Sequence, residues 1–208
     1  MTTTWSKLGG HKLAQYALDT LLCNSRAGCT YHNIDHVSDM YKFLEETHEP
    51  YDEALDWAVL FHDLVYDAQP EKEFRSAQLW RSASFKYREL DAIRVKVYDL
   101  ILLTVDHKVG PHELDPSASA IVRADLSGLS HRDSTFCNYA KILQESVNLY
   151  KSPAIDFANG NILFMLGLSE RVKNNIQTDP IHRDFYKKVL LGIEQTVNLS
   201  IIISGLKP

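Results

Sequence analysis

Cysteine is scarce in this 208-residue chain, and Cys23, Cys29 and Cys137 form no C-x-x-C pair. That excludes a disulfide framework and reads as three reduced thiols. No apolar run approaches the roughly 20 residues that span a bilayer. The opening segment MTTTWSKLGG has no apolar signal core, so a cytoplasmic location is expected. There is no basic block either. Lys and Arg number 22 against 27 Asp and Glu, a net charge of −5, which argues against sequence-independent nucleic-acid binding. Alternating strand patterns, G-x-G-x-x-G, G-x-x-x-x-G-K-S/T, internal repeats and low-complexity tracts are all lacking. What remains is 45 % apolar and 24 % charged residues, enough for an ordinary folded core.

The hydrophobic periodicity is helical nearly throughout, which predicts an all-α fold. Leu8, Leu13, Tyr16, Ala17 and Leu21 form the stripe of a first helix. Ile34, Val37, Met40, Tyr41 and Leu44 form that of a second. Residues 52–66, DEALDWAVLFHDLVY, predict a third, capped by Asp52 and apolar on almost every face, hence central. Two more are expected over 73–84 and 91–105, the latter pointing Ile93, Val97, Leu100, Ile101 and Leu103 inward. Pro116 marks the first turn of a sixth. Residues 135–150 and about 180–203 complete the set, the last weakened as a helix by its β-branched residues. The stretches near Gly110-Pro111 and Ser152-Pro153 read as turns within one domain, with a core of about 25–150 and a C-terminal helical extension.

Four places carry chemistry. His62-Asp63 interrupts the most apolar predicted helix, and no Lys or Arg lies within four residues of Asp63. An ionised carboxylate buried there needs a partner or a cation; otherwise Asp63 faces solvent at the helix end. In YHNIDH, residues 31–36, a helix would place His32 and His36 on one face about 6 Å apart along its axis, capped by Asn33 or Thr30. Such a pair can ligate one metal, or one ring can ligate while the other reaches a substrate; packed or surface histidines fit the spacing too. Asp125 sits among apolar residues in AIVRADLSGL, either as a further carboxylate ligand or as a surface partner of Arg123. His107 follows an apolar helix, where an imidazole commonly just complements the helix dipole.

The order His36, His62-Asp63, Asp125, each on its own predicted helix, resembles the HD-domain superfamily of metal-dependent phosphohydrolases. That family takes its name from an adjacent His-Asp pair. YHNIDH is also similar to the Tyr-His-Asn-x-x-His signature of cyclic-nucleotide phosphodiesterases. YHNIDH, FHDLVYD and EFRSA (73–77) together resemble a small bacterial branch of HD phosphohydrolases over about residues 5–150, with Lys72 where that branch carries an Asn.

The resemblance implies an HD-like helical bundle with His36, His62, Asp63 and Asp125 as metal ligands. His32 is implied as the general acid, and Asp63 or Asp125 as groups that orient the attacking water. His107 joins His32 and Asp63 among the catalytic candidates, through a second metal or the substrate phosphate. A mixed N/O set without thiolate suits Mn²⁺, Fe²⁺, Mg²⁺, Zn²⁺, Co²⁺ or Ni²⁺. Asp67 and Glu73 are candidates to support the ligands; Lys72, Arg75 and Lys108 are candidate anion contacts. The implied activity is hydrolysis of a phosphate ester or anhydride of a small molecule, a nucleotide by preference, with no membrane or nucleic-acid partner and with a homodimer admitted. The alternatives are a non-catalytic ligand-binding module of this fold, or a di-iron oxygenase similar to inositol oxygenase. The latter needs further His ligands, for which only His107 stands as a candidate.

Overall fold

The computed structural model describes residues 4–67, 69–109 and 115–206. Among these residues there are nine α-helices and three short 3-10 turns, and no strand. The all-α expectation holds. The helices are α1 (Lys12–Ala27), α2 (Ile34–Glu46), α3 (Glu53–Phe61), α4 (Lys72–Ser84), α5 (Arg94–Asp106), α6 (Pro116–Leu126), α7 (Arg132–Tyr150), α8 (Ala154–Thr178) and α9 (Arg183–Ser204). None is long and apolar enough to cross a membrane among the described residues. The turn expected near Gly110-Pro111 lies outside them. The chain divides into two compact units, one of residues up to Val105 plus Asp115–Asp125, the other of Asp106–Leu114 plus Leu126 onward. The division after Asp125 therefore falls inside the stretch of about 25–150 expected to form one core.

Local chemistry sets the helix ends of the first unit. Asn33 starts α2 by accepting the Asp35 N–H at 2.8 Å. Asp52 starts α3 by accepting from Ala54 N at 2.7 Å and Leu55 N at 3.2 Å, satisfying amides that have no partner inside the helix. α1 ends on Gly28 at φ 111°, whose N–H turns back to the Asn24 and Ser25 carbonyls. Only glycine takes that left-handed conformation without a Cβ penalty.

α3 is the buried axis of this unit, with Ala54 through Phe61 all inaccessible, packed against α1, α2 and α4. The Trp80 ring of α4 meets Trp57 at 5.3 Å and Phe61 at 5.2 Å between centroids. One polar group is embedded there. Asp56 is wholly buried and accepts from Ser6 Oγ at 2.8 Å, Lys7 N at 2.9 Å and Tyr41 Oη at 2.7 Å. Leu8 is buried as expected but precedes α1, and Tyr16 is exposed. In α5, Val97, Leu100 and Ile101 point inward, whereas Leu103, and Ile93 just before the helix, are only half-buried.

The second unit packs α7, α8 and α9 on one another. α7 begins three residues before the expected start at 135, and α9 forms despite its β-branched residues. α8, 25 residues long, has no counterpart among the expected helices. Gly160, Gly167 and several Asn lower its intrinsic propensity, and tertiary packing overrides that. Its buried stripe, Ala158, Met165, Leu168, Val172 and Asn175, keeps helical spacing but ends on a polar residue. Asn175 faces inward because its amide accepts from Val109 N at 3.0 Å and donates to the His107 carbonyl at 2.7 Å.

Candidate metal centre

Three segments of the first unit bring the predicted ligands together. His36 stands in the first turn of α2, His62 and Asp63 directly follow α3, and Asp125 lies at the end of α6. His36, His62 and Asp63 are all buried, with ligand atoms within 4.8 Å of one another. The two imidazole Nε2 atoms are 3.3 Å apart. Asp63 Oδ2 is 3.0 Å from His62 Nε2 and 3.9 Å from His36 Nε2. Asp125 Oδ1 joins at 3.1 Å from His36 Nε2 and 3.8 Å from His62 Nε2.

His62 and Asp63 were expected inside a helix running to 66, but α3 stops at Phe61. The reason is local. His62 Nδ1–H donates to the Val59 carbonyl at 2.9 Å, the acceptor that the Asp63 amide would take in a continuing helix. The chain then turns, and the same bond occupies Nδ1, so that Nε2 is the nitrogen facing the cluster centre. The peptide joining Leu64 and Val65 is held by two other helices. Its carbonyl accepts from Asn24 Nδ2 at 3.2 Å, and its N–H donates to Ser76 Oγ at 2.9 Å.

The electrostatics follow from the crowding. Burial alone disfavours a charged His62, but the charge and hydrogen bond of Asp63, with Asp125 behind it, more than reverse this and raise its pKa from 6.5 to about 9. Burial likewise opposes a charged Asp63, and the His62 imidazolium, aided by His32, holds it well below the usual carboxylate range instead. Among the described residues no Lys or Arg lies within ion-pair distance of Asp63.

The donor set fits a divalent cation. Two imidazole nitrogens facing each other at 3.3 Å need a proton or a cation between them. Ligands bonded to one octahedral ion at roughly 2.1 Å are themselves about 3 Å apart when adjacent, the scale of the spacings here. His36, His62, Asp63 and Asp125 would hold such an ion.

His32 departs from its expected setting. The cap of α2 is Asn33, so His32 precedes the helix rather than sharing a helical face with His36. Its ring nevertheless lies 6.1 Å from that of His36 between centroids and stacks on Tyr66 at 4.1 Å with an interplanar angle of 14°. Lys72, a candidate anion contact, places its ammonium 3.8 Å from the centroid of the same Tyr66 ring. Arg75 is committed elsewhere: it grips Asp67 with both guanidinium nitrogens, at 3.0 and 2.5 Å, and donates to the Pro70 carbonyl at 3.1 Å. Asp67 is thereby a loop anchor, its pKa lowered chiefly by that Arg75 bond. Arg123 does not pair with Asp125; it is buried and binds Glu49 Oε1 at 2.7 Å. His107 belongs to the second unit, in a left-handed conformation at φ 52° just past α5. Tyr66, Asn24 and Ser76 acquire their places beside the cluster only through packing; Tyr66 and Ser76 lie within FHDLVYD and EFRSA, while nothing in the sequence around Asn24 marks it. Comparison with models of protein families, with curated proteins and with solved structures finds no match to this chain.

Proposed function

We propose that this protein is a metal-dependent phosphohydrolase acting on a phosphate ester or anhydride of a small, nucleotide-like molecule. The observation that carries the reading is the meeting of buried His36, His62 and Asp63 with the partly exposed Asp125. They come from three separate segments of the chain, and a divalent cation is a partner that two carboxylates and two imidazoles meeting in an apolar bundle can share. The resemblance of YHNIDH and FHDLVYD to HD-domain phosphohydrolases supports the same class of reaction.

A bound divalent cation would supply charge neutralisation for the phosphoryl group and a lowered pKa for water. The rest falls to the chain. His62, its Nδ1 occupied by the Val59 carbonyl, presents Nε2 to the centre. Asp63 and Asp125 balance positive charge, and one of them orients the attacking water. His32, on the rim of the cluster and stacked on Tyr66, donates a proton to the leaving oxygen. The net acidic chain favours a small molecule over a nucleic acid as substrate.

The test combines metal analysis of the purified protein with turnover of a panel of phosphate monoesters, diesters and nucleotides in Mn²⁺. His62→Ala and Asp63→Ala lose both the ion and turnover. His32→Ala keeps the ion and turns over about 10²-fold or more slowly, the usual worth of a general acid. Turnover that persists in Asp63→Ala after metal loss refutes the mechanism. Metal uptake without turnover of any substrate points instead to a ligand-binding module.

A further inference from the structure

We propose that Ser76 and Asn24 are positioning residues of the candidate metal centre, acting through the Leu64–Val65 peptide plane, one residue beyond Asp63. This rests on the metal reading above and concerns what sets the geometry between His62 and Asp63.

Side chains on a helix inherit their direction from a rigid backbone; His62, its N–H still bound to the Ala58 carbonyl at 2.9 Å, is the last of α3 to do so, and Asp63 lies beyond it. Asp63 rides on the turn that follows. Its own closure is one bond, from Leu64 N to the Phe61 carbonyl at 3.1 Å. Such turns are free to pivot unless other elements hold them. Here the Leu64–Val65 peptide is held at both ends. Its carbonyl is bound from α1 by Asn24 Nδ2 and its N–H from α4 by Ser76 Oγ. In a trans peptide these groups point in opposite directions, so the two bonds together fix the tilt of the plane as neither does alone. Ser76 is fully buried, and water has no access to replace its hydroxyl. The plane lies one residue beyond Asp63, whose Oδ2 stands 3.0 Å from His62 Nε2.

This assigns the EFRSA segment a role in holding the ligands rather than touching them. Outer partners of metal ligands typically govern affinity by about 10–100-fold. A group important only for folding would move stability and leave the affinity of the folded protein unchanged.

The experiment compares the full-length protein with Ser76→Ala, Asn24→Ala and the control Thr104→Ala. Thr104 is a buried residue of α5 whose hydroxyl bonds within its own helix, to the Ile101 carbonyl at 2.8 Å. Calorimetric titration with Mn²⁺, Zn²⁺ and Co²⁺ is read beside the thermal midpoint and the visible Co²⁺ spectrum, which reports coordination geometry. Ser76→Ala and Asn24→Ala are expected to weaken metal binding by about tenfold or more and to shift the Co²⁺ bands. Thr104→Ala should lower the midpoint with wild-type affinity and spectrum. Wild-type affinity and spectrum in both turn variants overturn the proposal. If Ser76→Ala fails to fold, Asn24→Ala, at a half-exposed position, decides alone. A wild-type protein that takes up none of the three ions sinks the metal reading itself, an outcome distinct from equal binding by all variants.

Discussion

In the proposed metal centre a proton and a metal ion would compete for the same atom, His62 Nε2, and the size of that competition follows from the charges around the ring. Asp63 and Asp125 raise the imidazolium pKa of His62 to about 9 against the opposing effect of burial. At pH 7 only about one molecule in a hundred then carries the neutral ring that a cation requires. Metal affinity at pH 7 should therefore lie about 100-fold below its high-pH limit and rise about tenfold between pH 7 and 8. Each ion bound at pH 7 should expel about one proton from His62, while Asp63, already ionised, expels none. Calorimetric titration with Mn²⁺ in buffers of different ionisation enthalpy counts those protons directly. The metal-free protein provides a second reading. The folded pKa of His62 is raised above its unfolded value of 6.5, so the stabilisation is complete below pH 6.5 and is lost as pH rises through about 9. At about 1.4 kcal/mol per pH unit this amounts to about 3 kcal/mol, read as a falling urea midpoint between pH 6.5 and 9. Ions that bind with pH-independent affinity and release far less than one proton would refute the argument.

Three further outcomes follow from the packing. Asp56→Ala strands the Ser6 hydroxyl, the Lys7 amide and part of the bonding of Tyr41, and should cost about 2–4 kcal/mol in urea unfolding; Asp56→Asn, which keeps an acceptor oxygen, should cost less. Gly192→Ala should be among the most damaging changes in the second unit, because a Cβ there would stand 1.9 Å from the Leu129 carbonyl oxygen; a thermal midpoint equal to wild type would contradict the close approach of α9 to that backbone. Arg123→Met leaves the carboxylate of Glu49 without the guanidinium it now binds at 2.7 Å and should destabilise by roughly 3 kcal/mol, as removal of one partner from a buried pair does. Asp125 does not bind Arg123 in this way, so the same variant should keep wild-type metal affinity.

The chain's own pattern determined the helical class, the capping of α3 by Asp52 and the centrality of that helix; that His36, His62, Asp63 and Asp125 share one site was implied only by the resemblance to HD-domain proteins. The first three were legible because a 3.6-residue apolar stripe and a capping side chain are local events, complete within a few residues of each other. Whether a cation sits among the converging groups is a chemical question that the titrations above answer. Tertiary structure alone decided the rest. α8 forms although its glycines and asparagines weaken it, because packing against α7 and α9 outweighs propensity. His32 falls outside α2 because the adjacent Asn33, rather than Thr30, takes the cap. The helix before Asp63 stops at Phe61 because a buried ring competes for a backbone carbonyl. Arg123 turns to Glu49, 74 residues away in sequence, and Asn24 and Ser76 reach the Leu64–Val65 peptide across 40 and 11 residues. Hydrogen bonds of that kind leave no periodic trace in a sequence. Each depends on a donor and an acceptor meeting within about 3 Å, and only the packing of whole helices sets that distance.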